Sequence, residues 1–161
     1  MANYVFDYAK QLFARGILNF NEPSDGLFRI ALVTSDMFNV NNINTKTLWS
    51  EISQYHIINN APSYNIDGYP KLDTLPDTLP GSPLTNVDII TIGDDIKVFA
   101  DDIVYNSSTI DAGGAVVVRS TGTSGVYNPI CALDFGGNKS SNNGAFKLKL
   151  SSSSGGFLTI Q

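Results

Sequence analysis

Pairs and singles of glycine cut the second half of this chain into short pieces: Gly113-Gly114, Gly122, Gly125, Gly136-Gly137 and Gly155-Gly156. Glycine loses more backbone freedom on ordering than any other residue, so helix does not propagate through such a pattern, whereas tight turns accept it readily. The pieces between are rich in Val, Ile, Phe and Tyr, and those at 96–105, 115–121, 129–135, 145–150 and 157–160 read as strands joined by hairpins or Greek-key connections. Phe146, Leu148 and Leu150 alternate with Lys147 and Lys149, the period of a half-buried strand with one solvated face.

The first half adds a different periodicity. Val5, Tyr8, Ala9 and Leu12 form one helical stripe within residues 3–15, closed by Gly16. After a turn at 22–26, residues 27–35 form a near-continuous apolar run broken by Arg29, the pattern of a strand covered on both faces. Leu48, Ile52 and Tyr55 then predict a second short helix over 47–55. The expected fold is mainly β: an antiparallel β-sandwich or barrel with an N-terminal helix, one further short helix and a long proline-rich loop. At 161 residues the whole chain, 1–161, matches one domain.

That loop is set by Pro62, Pro70, Pro76, Pro80 and Pro83, which predict an irregular excursion over 59–93. Its central part, about 60–86, reads as an extended arm. It carries Tyr64, Ile66, Tyr69, Leu72, Leu75, Leu79 and Leu84, together with a tandem Asp-Thr-Leu-Pro at 73–76 and 77–80. Loops longer than about 12 to 15 residues are usually functional or unstructured, and this apolar content is unusual for a solvated linker. Tyr64, Ile66, Tyr69, Leu72, Leu75 and Leu79 are therefore the candidate partner-binding residues, on an arm expected to lie on an adjacent subunit. The prolines reduce the entropy such an arm loses on docking.

Composition excludes several function classes. Charged residues are 16% of the chain against about 25% in an average domain, and Asn, Ser, Thr and Gly supply the polar exterior instead. The ten basic residues are scattered and the formal charge is -5, so no phosphate-neutralising face is legible and no nucleic-acid partner is expected. The opening Met1-Ala2-Asn3-Tyr4 lacks the basic start and apolar run of a signal peptide, and no stretch approaches the roughly 20 apolar residues of a membrane span. A cytosolic product with no membrane partner is expected.

No catalytic, cofactor-binding or metal residue is assigned. His56 is the single histidine, placed at the end of the second predicted helix, and no G-x-S-x-G elbow surrounds any serine. One histidine and one cysteine cannot supply the three or four ligands of a zinc site, and Cys131 reads as a small buried apolar residue. Asp94-Asp95 and Asp101-Asp102 are the only candidates for paired-carboxylate chemistry on a sugar bond. Neighbours on a strand point to opposite faces, however, so these aspartates read as loop caps and edge charges. They lack the loop pattern of a calcium site, and no phosphate-cradling loop is present. Trp49, Tyr55, Tyr64 and Tyr69 are the candidates for a sugar-binding platform; Trp49 and Tyr55 fit a core at least as well, whereas Tyr64 and Tyr69 lie on the proline-rich excursion.

One resemblance bears on function. Met1-Ala2-Asn3-Tyr4-Val5-Phe6-Asp7-Tyr8-Ala9-Lys10, with Phe13, Gly16, the apolar residues at 17–20 and Phe28-Arg29-Ile30-Ala31-Leu32-Val33, resembles the start of small structural proteins of tailed bacteriophages. In that pattern a short helix precedes an Ala-Leu-Val strand, and a region at 89–105 leads into 116–119 and 129–135. The proline-rich segment has no counterpart there. The resemblance implies a virion structural protein without catalytic residues, foremost a decoration or cement protein of the head that binds the major capsid protein and copies of itself. A capsid's local three-fold positions suggest a trimer. It would be assembled in the host cytoplasm and sit on the capsid surface of the virion. A neck, tail or fibre component is the alternative within this class. A carbohydrate-binding or polysaccharide-degrading fibre module is the alternative outside it, for which Asp101 or Asp102 beside an exposed tyrosine is the feature to seek.

Overall fold

A computed structural model describes residues 2–20, 27–57, 80–152 and 155–160. The chain is mainly β; the described residues form two antiparallel sheets in a sandwich-like arrangement, one α-helix and several short 3-10 turns. β1 (Ala2–Val5), β2 (Phe28–Val33), β3 (Ser82–Pro83), β6 (Ile103–Ser120) and β7 (Tyr127–Leu148) form a five-stranded sheet in the order β1-β7-β6-β2-β3. β4 (Asp88–Ile92), β5 (Asp95–Phe99) and β8 (Leu158–Ile160) form the second sheet in the order β4-β5-β8. Buried residues from both sheets belong to a single hydrophobic cluster.

The 28–33 strand forms as its apolar run requires. β2 lies between β6 and β3, and every residue of it except Arg29 is buried. Residues 115–118 and 130–133 are likewise buried without a break. Successive side chains of a strand point to opposite faces, so both faces of the sheet are covered here. The helix and the 3-10 turns at Ser35–Asn39 and Trp49–Glu51 pack against this part of the ribbon.

The helix is shorter than its stripe suggested. Residues 2–5 pair with 131–134 as an edge strand, and α1 spans Asp7–Ala14. Its buried face is Phe6, Ala9 and Leu12. At its end the amides of Gly16 and Ile17 reach the carbonyls of Phe13 and Leu12, with Gly16 at φ 67°. That is the paired C-terminal bonding in which glycine avoids a Cβ clash.

Residues 47–55 form no α-helix. They make two 3-10 turns, Trp49–Glu51 and Ser53–Tyr55, separated by Ile52 at φ -125°. The Glu51 carboxylate accepts the amides of Thr47 and Leu48 at 2.9 and 3.0 Å, which caps the first turn. Trp49 and Ile52 are buried while Leu48 is exposed. Burial thus follows a spacing of three, the repeat of a 3-10 turn.

Two further boundaries differ from expectation. The irregular excursion ends earlier than residue 93, because 82–83 join β2 and 88–92 form the outer strand of the second sheet. Leu84 belongs to the core. The proline pattern stops at Pro83, which leaves 88–92 free to enter a ladder. The strand expected at 96–105 is divided between β5 and β6 by Ala100, Asp101 and Asp102.

Two of the glycine pairs, Gly113-Gly114 and Gly136-Gly137, lie inside strands, whereas Gly155-Gly156 makes the turn before β8. β6 and β7 run past the first two pairs as one long hairpin closed by the turn at 121–126, with paired positions from Ile103–Leu148 to Ser120–Tyr127. Gly114 pairs with Asp134 but Ala112 with Lys139, so a short step on β6 meets a long one on β7 containing Gly136-Gly137. Such a bulge bends the ribbon while the ladder continues on either side. At the bend, a Cβ on Gly113 would overlap the backbone of Ser35, and one on Gly114 would overlap Phe38 and the Leu133 carbonyl.

Gly114→Ala is expected to destabilise the fold by roughly 2 to 4 kcal/mol, since backbone and a ring must both give way. Gly144→Ala, with only the Asn142 carbonyl at 3.8 Å, should stay within about 0.5 kcal/mol. Urea titration of the two variants checks the contrast.

Candidate interaction surface

The six candidate partner-binding residues, Tyr64, Ile66, Tyr69, Leu72, Leu75 and Leu79, lie outside the described residues. The places where their segment leaves and rejoins the domain are described. Ile57 donates its amide to Leu32 and Thr34 donates to Tyr55, and His56 bridges Val33, so the outgoing chain sits on the edge of β2. The returning chain pairs Ser82 and Pro83 with Ile30 and Arg29 on that same strand. Both ends of the 58–79 segment are therefore fixed to one strand, a few residues apart.

The return is held by more than the ladder. Arg29, the charged interruption in the β2 run, donates Nε to the Pro80 carbonyl at 3.0 Å and a terminal nitrogen to the Gly81 carbonyl. Gly81 has φ 57°, and a Cβ there would overlap the Ile30 carbonyl, so only glycine lets the returning chain lie this close to β2. Tyr105 reaches across from β6 to donate its hydroxyl to Ser82 Oγ at 3.0 Å, and burial pushes that phenol up to about 12.

A second feature lies around the bulged step of β7. Leu133, Phe135, Phe146, Leu148 and Leu150 form the apolar floor of an open cavity of about 390 Å³, and Lys139, Lys147 and Lys149 stand around it. Its volume is that of a small ligand site. Sequence reading found the basic residues scattered, yet the structure gathers three of the ten here. The Lys147/Lys149 alternation was the legible part of this site. Lys139 joins it only through the long bulged step between Asp134 and Lys139.

The aspartate pairs diverge. Asp94 sits in the turn between β4 and β5, with Asp95 opening β5. Asp101 accepts from Thr85 and Asn86 at 3.0 and 2.7 Å. Asp102 accepts the amides of Leu150 and Ser151 at 2.8 and 2.9 Å and pairs with Lys147 at 3.0 Å. The Ser151 amide, the Lys147 ammonium and the Leu150 amide all favour the charged form and hold the Asp102 carboxyl well below the usual range. Both aspartates fasten segments of the domain, and among the described residues no tyrosine is exposed beside either. Among the described residues, no three His, Cys, Asp or Glu side chains gather as a metal site.

His56 closes the second 3-10 turn, its ring edge-on to Trp49 with centroids 5.2 Å apart, and burial lowers its imidazole to about 4. Trp49 is core, and Tyr55 packs against it partly buried. Cys131 is fully buried in β7, which pushes its thiol up to about 12 and leaves it mostly protonated at neutral pH. Among the described residues, no helix is long and apolar enough to cross a membrane. No family model, curated protein or solved structure matches the chain.

The His56 environment sets a pH window. Folding favours the neutral ring, so its contribution is complete above about pH 6.5 and fades as pH falls toward 4, by on the order of 3 kcal/mol. Denaturant titrations from pH 7 to 4 should show this loss, and His56→Gln should flatten it. Asp102→Ala is expected to lower the Tm more than Asp94→Ala, since only Asp102 joins the end of β7 to the start of β6; calorimetry compares them.

Proposed function

We propose that this protein is a non-enzymatic structural subunit of a tailed-phage particle, most concretely a decoration or cement protein of the head that clamps neighbouring capsid subunits. The observation that carries this reading is the anchoring of the 58–79 segment. A stretch bearing Tyr64, Ile66, Tyr69, Leu72, Leu75 and Leu79 leaves and re-enters through one strand of a covered sheet. A binding loop on a rigid scaffold keeps its position without spending the scaffold's own stability. The resemblance of the first 35 residues to phage structural proteins points the same way. Asp101 and Asp102 are each engaged within the domain, which agrees with a fastening role for them.

The reading predicts saturable binding of the purified protein to heads stripped of accessory proteins, with a rise in head melting temperature. Isolated tails and host surface polysaccharide are the parallel arms. Binding confined to tails or to polysaccharide would place the protein in the adhesion apparatus and overturn the cement role.

A further inference from the structure

The lysine-rimmed cavity has chemistry that no intramolecular contact among the described residues uses up. Lys147 is answered by Asp102, while Lys139 and Lys149 have no carboxylate within 4.0 Å among the described residues. Two unneutralised ammonium groups over an apolar floor suit a ligand that is both acidic and apolar, on a chain whose formal charge is -5. The cavity also lies along a strand edge. β1 covers β7 only at 131–134, and β6 holds the other side, so among the described residues no strand pairs with the outer edge of 139–148.

The same chain contains a segment of matching character. Residues 72–79 read Leu-Asp-Thr-Leu-Pro-Asp-Thr-Leu, with Asp73 and Asp77 as their only charged side chains and Leu72, Leu75 and Leu79 beside them. In an extended chain Asp73, Leu75, Asp77 and Leu79 would all share one face, with Leu72 on the other, so that face offers both carboxylates and two leucines to the lysine-rimmed hollow. The segment is rooted on the β2 edge of the β6–β7 ribbon, whereas the cavity lies on the β7 side. Donor and acceptor on opposite sides are suited to a head-to-tail contact between copies.

We propose that this cavity receives residues 72–79 of a second copy of the chain. The inference rests on the reading of 58–79 as an interaction arm and adds its acceptor: copies link heterologously, each giving a segment and each receiving one. The aspartates pair with Lys139 and Lys149, and Leu75 and Leu79 fill the floor formed by Phe135, Phe146 and Leu148.

The test is a charge exchange on the full chain. One variant carries Lys139→Asp and Lys149→Asp; the other carries Asp73→Lys and Asp77→Lys. Lys147 is left in place because it holds Asp102. Sedimentation velocity is expected to show self-association of the wild type that weakens with salt, and a loss of about tenfold or more in affinity for each variant alone. An equimolar mixture should recover association, because each basic arm then meets an acidic cavity and each acidic arm a basic one. Unchanged melting temperatures establish that the variants fold; if one does not, Lys139→Gln with Lys149→Gln and Asp73→Asn with Asp77→Asn give the same single-variant comparison. A monomeric wild type, variants that associate as the wild type does, or charge-exchanged variants that fail to complement would each overturn the proposal. Binding of the same proteins to stripped heads is scored separately. Head binding that survives in the cavity variant while self-association fails leaves the arm's wider role standing; loss of head binding in the arm variant alone separates the two ideas in the other direction.

Discussion

The fold depends on keeping one antiparallel ladder paired while the ribbon that carries it changes direction. β6 and β7 supply the longest run of backbone hydrogen bonds, and a buried strand with unpaired amides or carbonyls is costly. Ending both strands at the corner would leave such groups behind. The chain instead places Gly113-Gly114 against the pressing Ser35 and Phe38 and lets β7 carry the surplus length through Gly136-Gly137. The covered sheet lies on one side of this bulge, and the cavity is lined by residues from both sides of it.

Much of the architecture was legible where a single periodicity governs burial. The 28–33 run and the 146–150 alternation are each decided by one covered or half-covered environment, and their length and spacing fit strands. The C-terminal end of α1 was likewise readable from Gly16, because few residues tolerate that backbone conformation. Local rules failed where tertiary contacts supplied the decision. Residues 48, 52 and 55 have helical spacing, but the Glu51 cap and the burial of Trp49 select 3-10 turns. Residues 3–5 were expected to open the helix, yet β7 offers them an open edge.

The candidate surface was legible in part for the same reason. The apolar, proline-spaced segment is visible in sequence because composition alone marks it as unlike a solvated linker. Its anchoring is not, since Arg29 and Gly81 are separated by more than fifty residues and only the sheet brings them together. Lys139 and Lys149 similarly read as surface charges until the bulge gathers them around one hollow. Asp101 and Asp102 read as loop caps and edge charges rather than a catalytic pair; which seam of the domain each one fastens was not legible.

The placement of both roots of the 58–79 segment on β2 has a mechanical consequence. Tension on the segment enters the domain at Leu32 and at Arg29–Ile30, on a strand flanked by β6 and buried on both faces. A pull shared between two neighbouring attachment points on an interior strand is resisted by many hydrogen bonds at once, whereas a pull on a free end opens them one after another. Load applied to the segment therefore reaches the domain through a strand whose residues other than Arg29 are buried, and not through a terminus.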